Sequence, residues 1–246
     1  MSYGIPLTSP TLDFENLLSK HYRRFTKSRG SFGIARKVLI AHSHRWQWYS
    51  SIMLLKEIPT EPLPQMDFVD DHDSRAKKLV MSLLNINTSL DDVLNYLLHV
   101  FGHPGFEEPP KTEISFPIEE ALLLDRDLFG DVYSEVMGNG LRSGTGYFPT
   151  PQNICNMMIE MTMADCELTN TVNDPCVGSG RMLLSASNKS LFLSGNDVNP
   201  TCVKMTLVNG YFFAPWIALP PPKEIIPLRK HFNLERNIYG KNTFSL

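Results

Sequence analysis

The sequence predicts an α/β domain preceded by an α-helical region, and three observations carry that prediction. Apolar positions recur at helical spacing through the first half of the chain. Near residue 140 the pattern changes to short apolar strands that alternate with glycine turns and capped helices. Two of those strands end in acidic residues 23 positions apart, Asp174 and Asp197. The 246 residues allow one large domain or two small ones. The proline- and glycine-rich stretch 102–117 divides them into a helical region, 1–117, and an α/β region, 118–246.

Composition narrows the classes. No apolar run approaches the ~20 residues that span a bilayer, and Met1–Pro6 lacks the basic and apolar segments of a signal peptide. A cytoplasmic protein without a membrane partner is expected. The four cysteines form no C-x-x-C pair and no histidine stands at ligand spacing from them, so no structural zinc is expected. His42 and His44 lie two apart, which on a helix points them away from each other. The net charge of -3 divides into +6 over residues 1–60 and -9 over the remainder. The first quarter is therefore the part suited to an acidic partner.

Residues 11–57 are predicted helical, with an interruption near Ser28–Ser31. Three prolines make 59–64 a loop, and a helix follows over about Ser74–Leu84. From Ser89 the apolar residues Leu90, Val93, Leu94, Leu97, Leu98 and Phe101 line one helix face, with Ser89 and Asp92 in capping-box positions. A helix from about Ile118 is expected to run, with or without a bend, through Leu128, Val132 and Met137 and to stop at Gly138–Gly140. Thr150 and Pro151 form a good N-cap and N1 pair for the next helix, whose Ile154, Met157, Met158 and Met161 predict a core-facing stripe. A second strand within Ser190–Asp197 precedes a helix capped by Asn199-Pro200.

The chemistry concentrates in Val172-Asn173-Asp174-Pro175-Cys176-Val177-Gly178-Ser179-Gly180-Arg181. A strand ends in an acid, glycines turn the chain, and a helix opens, which lets backbone amides approach a nucleotide-like ligand. A plain tight turn is the competing reading of the glycines. A phosphate loop is excluded, because G-x-x-x-x-G-K-[ST] is absent and Asp174 would repel phosphate. Leu183 stands where a dinucleotide fingerprint has its third glycine. The spacing from Asp174 to Asp197 is close to that at which a second-strand acid reaches ribose hydroxyls.

In their order, three motifs over residues 127–246 resemble the adenine-N6 DNA methyltransferases, most closely the modification subunits of type I restriction-modification systems. They are Gly146-Tyr147-Phe148-Pro149-Thr150-Pro151, the Asp174–Gly180 turn, and Gly195-Asn196-Asp197, preceded by the segment Asp127–Tyr133. Pro149 replaces a second aromatic, and Cys176-Val177 stands where Ala-Cys is commoner. The resemblance implies a partial Rossmann-like S-adenosylmethionine-dependent methyltransferase fold. It places Tyr147, Phe148 and Thr150 at the methionine end of the cofactor. Asp174, Cys176, Gly178, Ser179 and Gly180 would surround its amino acid and ribose, and Asp197 would take the ribose hydroxyls. Asn237–Leu246 resembles the third strand and following turn, with Asn242 toward the cofactor adenine and Lys241 disturbing the match.

The family's base-holding [DNS]-P-P-[FYW] segment is not found anywhere in the chain. On this reading the chain stops before that loop and holds half of the usual sheet, so a homodimer, a partner chain or the N-terminal helices are expected to cover the open strand edge. No catalytic residue is therefore assigned. The first function reading is an S-adenosylmethionine-binding domain acting on DNA. The alternative is a catalytically inactive, methyltransferase-like protein that binds DNA or a partner, and a truncated reading frame is a third. Arg23, Arg24, Lys27, Arg29, Arg36 and Lys37, with Arg45, interleave with Tyr22, Phe25, Trp46, Trp48 and Tyr49, a mixture suited to nucleic acid. A solvated helical face over a tryptophan core is the competing reading.

Overall fold

The computed structural model describes residues 32–111, 114–145 and 147–225. Arg23, Arg24, Lys27, Arg29, the interruption at 28–31, Gly146, and the expected third strand with Asn242 lie outside the described residues. Among the described residues the first half supplies four helices, α1 (Phe32–His42), α2 (His44–Leu55), α3 (Arg75–Met81) and α4 (Leu90–Val100). The expected helix over residues 11–57 is thus broken at Ser43, whose extended backbone and side chain cap α2 at Trp46 N. In α4 the capping box is complete: Ser89 Oγ accepts from the Asp92 amide and Asp92 accepts from the Ser89 amide.

The second half continues with α5 (Ile118–Leu122), α6 (Gly130–Thr145), α7 (Gln152–Thr162), β1 (Thr171–Asp174), α8 (Arg181–Ala186), β2 (Phe192–Gly195), α9 (Pro200–Phe213) and α10 (Pro215–Ala218), then a 3-10 turn at Lys223–Ile225. One expectation is corrected here. The helix from Ile118 does not run through to Met137, because the chain leaves it after Leu122, takes a positive φ at Asp125, and restarts at Gly130. Arg126 and Asp127 fall in that break and turn inward to buried partners, an arrangement that a continuous amphipathic helix would not permit. Gly138 does interrupt α6, with φ 61° and ψ 171°, but helix resumes beyond it to Thr145.

β1 and β2 pair in parallel, with Thr171 opposite Phe192 and Asp174 opposite Gly195, and α8 connects them. Among the described residues the sheet has these two strands only, in a helix-dominated α/β arrangement. At the centre lies α9, which is buried on all sides from Met205 onward and is capped by Asn199 at Thr201 N. Trp46, Tyr49, Phe101 and Phe116 from the first half pack with Tyr211, Phe212, Phe213 and Trp216, so one continuous core joins the two halves.

This packing decides one open question. Arg45, Trp46, Trp48 and Tyr49 are buried in the core and are not available to nucleic acid. Lys37 is exposed on α1, where Arg36 also lies.

Candidate functional site

The strand ends and the turn between them are joined by local hydrogen bonds. Asp174 Oδ1 accepts from the Cys176 amide at 3.0 Å, which starts the turn. The Val177 amide donates to Asn196 O and the Asn196 amide to Asp174 O, both at 2.9 Å, extending the contact past the strands. Asp197 Oδ2 accepts from the Gly178 amide and its Oδ1 from the Asn199 amide, again at 2.9 Å. Asp174, Cys176, Gly178, Ser179, Gly180 and Asp197 are therefore brought together. Glycine is required at 180: φ is 92°, and a Cβ would stand 3.0–3.1 Å from the Thr206 side chain. Thr206 Oγ1 meanwhile donates to Gly178 O at 3.0 Å, fastening the turn to α9.

Beneath the turn lies a buried polar seam centred on Asp127, a residue to which the motifs assigned no role. Its Oδ2 accepts from Ser179 Oγ at 2.6 Å and Arg181 Nε at 2.7 Å. Its Oδ1 accepts from the Phe129 and Gly130 amides, which begin α6, and from Asn209 Nδ2 at 2.7 Å. Asn209 also donates to Ser179 O and accepts from the Leu128 amide, so both its donors and its oxygen are engaged. Arg181 reaches further, to Asp131 Oδ1 at 2.6 Å and Thr150 O at 3.3 Å. Burial alone would raise the Asp127 carboxyl, but Arg181, the Ser179 hydroxyl and the Phe129 amide outweigh it and hold Asp127 below its ordinary value. Burial likewise opposes charge on Arg181, and Asp127 with Asp131 reverses the effect, raising it. A side chain at Gly130 would enter this seam, its Cβ 2.6 Å from Ser179 Oγ.

The aromatic loop divides into an inner and an outer part. Tyr147 is buried, stacks edge-on against Tyr133 with ring centroids 4.8 Å apart, and points its hydroxyl at Gly130 O. Burial, with the nearby Asp127 charge, pushes its phenol upward, so it stays neutral. Phe148, in contrast, is 73% exposed, and Thr150 is exposed while its carbonyl accepts from Arg181. Pro151 rather than Thr150 occupies the N-cap of α7, and neither side chain caps it. Asp70, from the first half, accepts from the Gln152 amide at 2.7 Å and the Asn153 amide at 3.4 Å instead.

The methionine stripe is a second correction. Ile154, Met157, Met158 and Met161 are 38–75% exposed, while Gln152, Cys155 and Ile159 form the buried face of α7. On the buried face Gln152 Nε2 donates to Ser185 Oγ at 2.7 Å on α8. The cysteines are all free, and burial raises the Cys155 thiol to about 11 and the Cys202 thiol to about 12, so both are protonated and inert at neutral pH. Among the described residues no group of three or more His, Cys, Asp or Glu could hold a metal ion, and no helix is long and apolar enough to cross a membrane.

No solved structure matches the chain. Residues 124–212 match the family of N-6 DNA methylases. That span begins just before Arg126 and Asp127 and ends within α9, taking in the seam, the aromatic loop, both strands and the turn. The likeness to N-6 DNA methylases therefore lies in the part of the chain that builds this site.

Proposed function

We propose that the Asp174–Gly180 turn and Asp197 hold S-adenosylmethionine, in a domain of the adenine-N6 DNA methyltransferase type whose acceptor is DNA. The observation that carries this reading is the state of Asp197. An ionised carboxylate offers about four acceptor positions. Two are taken by the Gly178 and Asn199 amides, one on each oxygen, which fixes the group and leaves room for two more donors. A ribose diol supplies two such donors. The glycine turn is compatible with the same ligand, since glycine takes the positive φ at 178 and 180 and adds no side chain there. Two acids, Asp174 and Asp197, favour a cationic sulfonium and amino group over phosphates. Phe148 and Val198, 73% and 97% exposed on the two loops beside the turn, offer apolar cover.

In this reading Tyr147 supports the turn from below, and Phe148 and Thr150 border the methionine end. Asp174 and the Cys176–Gly180 backbone surround the amino acid and ribose, and Asn242 is the residue proposed for the adenine. Bound here, S-adenosylmethionine would supply an electrophilic methyl group. The chain's own residues bind and orient it and keep Arg181 and Tyr147 from competing chemistry by burying them. Without a [DNS]-P-P-[FYW] segment in this sequence, holding the donor and transferring its methyl are separate claims. A partner chain that supplies the base-holding loop completes the reading, and a homodimer is the other proposed cover for the open strand edge. Lys37 and Arg36 on α1, with Arg23, Arg24, Lys27 and Arg29, are the basic residues proposed for the nucleic acid.

Equilibrium dialysis with labelled S-adenosylmethionine tests the first claim: Asp197→Ala is expected to weaken retention about tenfold or more, in keeping with loss of charge-assisted hydrogen bonds. Equal retention by Asp197→Ala and the unsubstituted chain would remove Asp197 from the site. Methyl transfer to adenine-containing DNA by the purified chain alone would show that no second chain is needed.

A further inference from the structure

The first half of the molecule does more than add core. Residues 63–73 run as a strap across the second half, and their attachments follow one another along it. Leu63 and Phe68 are buried in the common core, with Phe68 edge-on to Phe213. Between them Asn188 exchanges two hydrogen bonds with the Met66 backbone, at 2.8 and 3.0 Å. Phe68 O then accepts from Asn156 Nδ2 on α7 at 2.7 Å, and Asp71 pairs with buried Arg126 at 2.9 Å.

Asp70 sits in the middle of this series and is spent on the first turn of α7. Every helix start leaves amides without intrahelical partners, and a side-chain acceptor at the N-cap ordinarily takes them. Here that position is Pro151, which has no acceptor to offer. Asp70 takes the Gln152 and Asn153 amides from 82 and 83 residues away. Its negative charge also suits the positive end of an 11-residue helix. The loop Tyr147–Pro151 enters α7 directly, so the position of that first turn sets where Phe148 and Thr150 lie. The opposite side of the loop is held by Arg181 at Thr150 O.

We propose that Asp70 is a positioning residue: from the N-terminal half it fixes the Tyr147–Pro151 loop against the Asp174–Gly180 turn. The inference rests on the reading of that turn as a methyl-donor site. It makes Asp70, and not the strap as a whole, a working part of that site.

The experiment uses the full chain with Asp70→Ala, Asp70→Asn and the neighbouring control Asp71→Ala. Amide hydrogen exchange over 147–156 and S-adenosylmethionine affinity are measured beside thermal stability. Asp71→Ala breaks the strap's ion pair with Arg126 and uncaps α3 at Ala76 and Lys77, but touches nothing in α7. Asp70→Ala is expected to speed exchange at Tyr147, Phe148 and Thr150 as well as at Gln152 and Asn153, and to weaken binding about five- to tenfold. Asp70→Asn, which keeps an acceptor, should recover most of that loss. Asp71→Ala should lower thermal stability while leaving exchange in the loop and affinity unchanged. Equal effects of Asp70→Ala and Asp71→Ala on loop exchange would reduce Asp70 to a fold residue and overturn the proposal. So would unchanged loop exchange in Asp70→Ala. The expected exchange pattern in a chain that binds no S-adenosylmethionine would uphold the positioning and defeat the methyl-donor reading alone.

Discussion

Of the three arginines buried almost completely among the described residues, Arg181 at 8% exposure and Arg45 at 2% are accommodated by opposite means. Arg181 lies between two carboxylates, Asp127 and Asp131, which raise it. Arg45 has backbone in place of acid. Its guanidinium donates to Ser187 O and Ser187 Oγ at the C-cap of α8, and to Phe213 O at the last residue of α9. Its Cζ lies 4.5 Å from the centroid of the Trp216 ring. Helix C-termini carry partial negative charge and ring faces attract cations, so both offset desolvation without a counter-ion. Burial still pulls Arg45 down to about 9, which leaves it charged at neutral pH. The same cation is thus a packing element on one side of α9 and part of the site's framework on the other. On the site side the acid that neutralises it also holds Ser179.

The sharpest way to break this contrast is Asp127→Ala. It leaves Arg181 with one partly exposed carboxylate and takes from Ser179 its acceptor and from Asn209 one of two, and a loss of about 3–5 kcal/mol is expected from denaturant unfolding. Arg45→Met should cost less, about 1–3 kcal/mol, because it removes a donor from buried carbonyls but strands no charge. If Arg45→Met proves the more destabilising, the distinction between the two arginines fails.

Titration sharpens the same comparison. A carboxyl held below its ordinary value in the native state gives stability that is present above the unfolded value, near pH 4, and is lost as pH falls through the native one. Asp127 has this sign, while Arg45 releases no proton until about pH 9. Stability followed by tryptophan fluorescence is therefore expected to fall below pH 4 in the unsubstituted chain and to fall less steeply in Asp127→Asn. The smallest effect belongs to the methionine face. Met157→Gln and Met161→Gln lie outside both buried regions, and changes within about 0.5 kcal/mol are expected.

What was legible in the sequence divides along the same line. Local chemistry reads directly: the Ser89–Asp92 capping box, the Asn199 cap, both strand ends and the glycine turn all depend on residues within a few positions of each other. The seam does not, because the partners of Asp127 lie 52, 54 and 82 residues away and only the fold brings them together. Its one local trace is the pair of bonds to Phe129 and Gly130, which a helix assigned straight through Asp127 conceals. Periodicity placed Ile154, Met157, Met158 and Met161 on a single face, but a period carries no information about which face is covered. For Trp46, Trp48 and Tyr49, aromatic spacing alone suited nucleic acid and core equally, and packing on α9 and α10 decided between them.

The central claim is that two fixed acids and a bare glycine turn hold a cationic methyl donor. Titration calorimetry of the full chain with S-adenosylmethionine, beside ATP as a ligand that shares the adenosine but carries phosphates, tests it most directly. Saturable one-site binding of S-adenosylmethionine, with ATP weak or absent, is the predicted result. No heat with S-adenosylmethionine, or tighter binding of ATP, would contradict it.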